Sequence, residues 1–231
     1  MVGLGTIINT AAILAGGLLG GIFGKFFNGN TQEALTKACG VSTIFIAVSG
    51  ALEQMAKVSN SAMLLIGCLT LGALIGELLN IEGGFERFGT WLKEKTGNSK
   101  DAEFVNAFVT ASLTVCIGAM AIVGAIQDGI AGDYSILATK AALDLVIIMA
   151  MTASLGKGAV FSAIPVALLQ GSITALAGLF KGIMTDLAMT NLSLIGNILI
   201  FCVGVNLLFG KKVRVANLLP AIVIAVIAAF I

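Results

Sequence analysis

Long apolar stretches separated by short polar breaks set the pattern of this chain. Eight such stretches occur, at 3–24, 36–54, 61–79, 104–126, 135–155, 159–179, 190–209 and 215–231. Each approaches the roughly 20 residues that a helix needs to cross a hydrocarbon core of about 30 Å. None alternates polar and apolar residues as a barrel strand does, and in hydrocarbon only helices and closed barrels satisfy the backbone. The pattern predicts an all-α fold, a polytopic transmembrane helical bundle of about eight helices. Residues 1–80 hold the first three, 104–155 the next two and 156–231 the last three.

Between the third and fourth stretches, 81–103 breaks the pattern. Phe85, Phe88, Trp91 and Leu92 recur at helical spacing, and Glu86, Arg87, Lys93, Glu94 and Lys95 take the other side. This is the signature of an amphipathic helix lying in the membrane interface, with the single tryptophan at headgroup level. Basic residues are distributed unevenly over the connections. Lys25, Lys37, Arg87, Lys93, Lys95, Lys100, Lys157, Lys211, Lys212 and Arg214 fall on one side; Lys57, Lys181 and Lys140 fall toward the other. The excess of positive charge in cytoplasmic loops then predicts that 80–103 is cytoplasmic and that both termini are outside.

Shifting the chain by 154 residues lays stretches one to three over six to eight without gaps. Leu14 falls on Leu168, Gly17 on Gly171, Gly24 on Gly178, Thr36 on Thr190, Gly50 on Gly204, Lys57 on Lys211 and Leu64 on Leu218. The two halves would start on opposite faces, which makes this an inverted 3+2+3 repeat. Such repeats are typical of secondary transporters, whose sites lie near the midplane. The register equates Ser42-Thr43 with Gly196-Asn197, where a local break in each helix would expose backbone to a ligand; the alternative is side chains bonded back to their own helices.

The first stretch carries Gly16, Gly20 and Gly24 on one line and Gly17 and Gly21 on another, faces that let a neighbouring helix approach closely. Its first charge, Lys25, follows the apolar run, so it is expected to be a retained helix rather than a cleaved leader.

Composition adds mostly exclusions. The chain is 58% hydrophobic and 11% charged, against about 25% charged in a soluble domain. A net charge of +1 gives no field for nucleic acid. There is no histidine, no Walker A sequence and no CxxC among the four cysteines. An enzyme, a metal and a cofactor are all unexpected.

Candidate chemistry is therefore confined to polar residues at depth. Asp144 lies about ten residues into the fifth stretch, with Lys140 one turn earlier. Either the two neutralise each other, or the carboxylate binds or couples a solute. Gln170, Asn9, Thr43 and Asn197 are candidates to line a path, and Asp128, in the turn before the fifth stretch, to attract a cation to an outer vestibule. Isolated uncharged polar residues also serve as glue between helices. Glu77 is expected at an exposed helix end.

The run 106–133, with Lys140-Ala-Ala-Leu-Asp144, Phe161-Ser-Ala-Ile-Pro-Val166, Gln170-Gly171, Asn217-Leu-Leu-Pro220, the opening Asn9-Thr10 and the region from Ile81-Glu82 to Trp91, resembles the DUF554 family over essentially the whole chain. Ala119 stands where the family's Cys-x-Gly-Pro-Met pattern carries proline, and with the proline goes the expected source of a kink in the fourth stretch. The resemblance implies a multi-pass protein of the bacterial inner membrane, with no substrate attached. Residues and resemblance together give a secondary transporter or channel for a small polar or charged solute. The rival is a non-transporting scaffold or accessory subunit. The rival would use the glycine faces and the 82–95 helix to bind another membrane protein; the partners expected otherwise are the lipid bilayer, a small solute or ion and a second copy of the chain, most simply a homodimer.

Overall fold

The computed structural model describes residues 2–58, 60–117, 119–180 and 185–230. Among them every regular element is a helix. Helix α1 is Leu4–Phe23, α2 Gly29–Met55, α3 Ser61–Leu79, α4 Ile81–Lys95, α5 Phe104–Cys116, α6 Ala119–Ala131, α7 Ser135–Leu155, α8 Ala163–Ala175, α9 Ala177–Phe180, α10 Asp186–Phe209 and α11 Pro220–Ile227. Short 3-10 turns at Lys157–Ser162 and Val215–Leu218 lead into α8 and α11.

Six described helical segments are long and apolar enough to cross a membrane: Leu4–Phe26, Gly29–Met55, Ser61–Leu79, Ser135–Leu155, Lys157–Ala175 and Asp186–Phe209. The pair α5 and α6 makes a seventh if its two arms count as one span. The eighth stretch of the sequence forms only the shorter apolar run Val215–Phe230, in which the 3-10 turns Val215–Leu218 and Ala228–Phe230 flank α11 and do not continue with it as one regular α-helix. Outward-facing side chains are apolar, as lipid contact requires: Leu18, Phe45, Met63, Leu78 and Leu168 are all at least 65% exposed. Polar side chains gather inside instead, where helices can satisfy them.

Helix α1 packs on α7, and the glycines explain how. A Cβ on Gly16 would collide with the carbonyl oxygen of Leu145, one on Gly20 with that of Met149, and one on Gly24 would lie 3.0 Å from Ala153 Cα. The pairs advance together, so the two helices run parallel and touch backbone to backbone. The second line of glycines behaves differently: Gly17 receives Val160, but Gly21 faces open space.

The helices of the first and last thirds pair antiparallel. On α2, Gly40 meets Leu207 and Leu208 of α10, while Gly50 lies under Asn197, with Nδ2 2.6 Å from where a Cβ would stand. On α3, Gly72 meets Ala221 and Gly76 meets Asn217. Helix α1 meets the segment Lys157–Ala175 at Gly17 with Val160 and at Asn9 with Gln170.

Two expectations are corrected here. Helices α2 and α10 run unbroken through Thr43 and Asn197, so neither residue marks a local break. The interruption lies in the fourth stretch, where α5 and α6 meet at 60°. Ile117 adopts extended backbone there, with ψ 122°, which ends the i→i−4 hydrogen-bond ladder without any proline. Gly118 and Lys181 lie outside the described residues.

Candidate functional site

Asp144 sits near the middle of the 21-residue α7 and is 2% exposed. Lys140, one turn earlier on the same face, places Nζ 2.7 Å from both carboxylate oxygens. The pair is buried, with side chains only 10% and 3% exposed. An ionised acid and amine in an apolar interior each carry a desolvation cost of several kcal/mol, offset only by good mutual geometry. This geometry is bidentate and closed.

Next to the pair, Asn9 of α1 donates through Nδ2 to Gln170 Oε1 of α8 at 3.3 Å. Both amides are fully buried, and each keeps an atom without a partner among the described residues, Asn9 Oδ1 and Gln170 Nε2. The structure therefore joins four of the seven candidates, Asp144, Lys140, Asn9 and Gln170, at the meeting of α1, α7 and α8.

Asp128 lies elsewhere than expected. It is not on an outer vestibule wall but fully buried on α6, where Oδ2 accepts the Gly5 N–H at 3.0 Å. The first turn of α1 has free N–H donors and the positive end of the helix dipole, and Asp128 serves both. A carboxylate close to a turn in sequence was expected at the surface; the packing of α1 against α6 covers it. Thr43 and Asn197 are half-buried and do not join the cluster; Asn197 packs against Gly50 of α2.

A second polar group is one that the sequence pattern does not single out. Glu82, at the start of α4, is 2% exposed. Its Oε1 pairs with Lys211 at 2.6 Å and its Oε2 accepts the Ala216 N–H at 3.3 Å. Asn217 Oδ1 accepts the Glu82 N–H at 2.7 Å, and its Nδ2 donates to Glu77 at 2.8 Å. Arg214 pairs with Glu77 at 2.6 Å, so that helix end is engaged. The one signal in the sequence is spacing: Glu82 shares one helical face with Phe85, Gly89 and Leu92, the face that α4 turns inward. Lys211 also bonds Glu86. Partial burial pulls its ammonium down, but the hydrogen bonds and charges of the two glutamates outweigh this and hold it above the ordinary lysine range.

Glu82, Glu86 and Lys211 line a cavity of about 430 Å³. Thr36, Asn106, Thr110 and Asn206 add polar wall, and Val109, Leu113, Val203 and Leu207 form apolar surface. The cavity reaches Leu113, one turn short of the α5–α6 break. Asp144 does not line it.

A bundle of long apolar helices with exposed apolar flanks and an internal ion pair defines a multi-pass membrane protein. The chain belongs to the DUF554 family, described as a protein of unknown function, whose model matches residues 4–230. It is 31% identical over 227 residues to the uncharacterized membrane protein YdfK of Bacillus subtilis (strain 168), covering 98% of this chain and 96% of that one. It is 27% identical over 226 residues to the uncharacterized protein YqgA of Escherichia coli (strain K12), covering 96% and 94%. No solved structure matches it.

Proposed function

We propose that this protein is a secondary transporter or channel for a small polar or charged solute in the bacterial inner membrane. The observation that carries the reading is the buried Lys140–Asp144 pair at mid-helix, beside two amides that each keep an atom without a partner among the described residues. A purely structural pair needs no such neighbours, since unsatisfied buried polar atoms cost about 1–3 kcal/mol each. Asp144 would be the coupling or binding carboxylate and Lys140 the group that neutralises it between events.

Three arrangements support this reading. A span broken near the bundle centre, here between α5 and α6, is a recurrent device of transporters. The cavity rising from the α4 end stops one turn from that break. The antiparallel pairing of α1 with 157–175, α2 with α10 and α3 with α11 suits an inverted repeat about an axis in the membrane plane. The register offset of 154 also carries the end of α2, Met55, onto Phe209, the end of α10. It carries the start of α3, Ser61, onto Val215, where the last helical run begins. On this reading the shorter run Val215–Phe230 is the eighth crossing, both termini are outside and the protein works as a homodimer.

One observation favours a non-transporting scaffold instead: the ion pair is closed on itself, and the cavity does not touch it. Solute flux separates the two. A metabolite screen in proteoliposomes should find a solute whose flux is lost in Asp144→Asn while the variant stays folded. Unchanged flux in that variant removes Asp144 from the mechanism, and the absence of flux for any solute leaves the scaffold.

A further inference from the structure

The cavity of about 430 Å³ takes its walls from α2, α4, α5 and α10, with Thr36, Glu86, Asn106 and Val203 as one residue from each. That volume falls in the range of small-molecule sites, which combine apolar walls with a few placed polar groups. Both kinds of wall are present. Val109 and Leu113 of α5 and Val203 and Leu207 of α10 are buried hydrophobes. The charged groups are gathered at one point, because Lys211 bonds both Glu82 and Glu86.

The balance of these groups selects between ligand classes. Among the described residues that line the cavity, only Glu82, Glu86 and Lys211 are charged side chains, two acids to one base. Glu82 has both oxygens in use, Oε1 on Lys211 and Oε2 on the Ala216 N–H. Glu86 is half-exposed and takes Lys211 on Oε1; its Oε2 has no donor among the described residues. The two carboxylates together hold the Lys211 ammonium above the ordinary lysine range. An anionic ligand would therefore compete for an ammonium already shared by two carboxylates. A cationic one meets the carboxylate oxygen that is left over. The remaining capacity is also for accepting: Thr36 gives its hydroxyl proton to the Gln32 carbonyl and Thr110 gives its own to Asn106 Oδ1, so both offer lone pairs. Acceptors call for a cation that carries N–H donors, a primary ammonium rather than a quaternary one.

We propose that this cavity binds a small organic cation, a primary ammonium on a short apolar body, with the ammonium on Glu86 and the body against Val109, Leu113 and Val203. The site is separate from the Lys140–Asp144 pair, which does not line the cavity. Binding therefore stands without the transport reading; only passage of the amine across the membrane rests on it.

The test is the thermal midpoint of the purified protein in detergent, titrated with butylammonium, butyrate and butanol at neutral pH and constant ionic strength. The expected result is a saturable rise with butylammonium and none with the other two. Glu86→Gln should weaken the amine roughly fivefold, the scale of a half-exposed ion pair. Lys211→Gln should tighten it, because the competing ammonium is gone. These opposite signs separate a cation site from a merely structural cluster, in which both variants shift the midpoint but leave the response to amine alike. Thr110→Phe fills the cavity and should abolish the response; should that variant fail to fold, Glu86→Gln, at a half-exposed position, still decides. A response to butyrate or butanol equal to that for the amine, or an unchanged response in Glu86→Gln, overturns the site. Competition by phosphatidylethanolamine in the micelles, but not by phosphatidylcholine, assigns the amine to a lipid headgroup, and no competition assigns it to a soluble solute. Butylammonium binding without amine flux in proteoliposomes keeps the site and removes only its use in transport.

Discussion

Lys140 Nζ lies 2.7 Å from each oxygen of Asp144, one helical turn away on the same helix and closed off from solvent. Removing one partner leaves the other charged and alone. Lys140→Met or Asp144→Leu alone should cost about 3–5 kcal/mol, and the double variant should recover most of that. Thermal midpoints in detergent check the stability cycle. Recovery of stability without recovery of flux would separate the structural from the functional share of the pair.

The contact of α1 with α7 makes a sharper steric prediction. Gly20→Ala drives a methyl group into the Met149 carbonyl, and it should destabilise by about 1–3 kcal/mol or more. Gly21→Ala, one residue on, meets open space. It should be neutral or stabilising by up to about 1 kcal/mol, because alanine is the better helix former. Equal effects in both variants would contradict the close approach.

Glu82 should be more sensitive to shape than to charge. Glu82→Ala strands the buried Ala216 N–H and should cost about 1–3 kcal/mol. Glu82→Gln keeps an acceptor and should cost less, despite losing the ionic bond to the half-exposed Lys211. Unfolding midpoints of the two variants give the comparison.

Lys211 sets a pH dependence of known sign. Its ammonium is held above the ordinary lysine value, so folding favours the protonated form. That contribution is complete below the unfolded value of about 10.4 and is lost as pH rises through the folded value. The midpoint should therefore fall in strongly alkaline solution, and Lys211→Gln should flatten that part of the curve.

The distribution of basic residues predicts sidedness. A cysteine introduced at Lys95 or Lys100 should be protected from a membrane-impermeant thiol reagent in intact cells, and one at Asp133 should be labelled, measured in a background lacking Cys39, Cys68, Cys116 and Cys202. Labelling of 95–100 from outside would invert the topology.

What the chain determines locally is legible in its sequence. Continuous apolar runs near 20 residues demand helices in a membrane, and α3 and α7 take the boundaries that their runs prescribe. Helix α4 occupies 81–95 because its apolar positions repeat at helical spacing. The meeting of Lys140 with Asp144 also follows from spacing, since residues four apart share a helix face. The glycine line at 16, 20 and 24 requires a close neighbour, though it does not say which one.

Tertiary structure decided everything that depends on distant partners. Gly5 and Asp128 are 123 residues apart in sequence, Asn9 and Gln170 161 apart, and Glu82 and Ala216 134 apart. A carboxylate beside a turn and a glutamate at a helix start resemble surface residues until packing covers them. The break after α5 likewise left no proline as a marker. Period and hydropathy state what a segment becomes and which face it must hide; which helix does the hiding is fixed only when backbones, carbonyls and glycines meet in three dimensions.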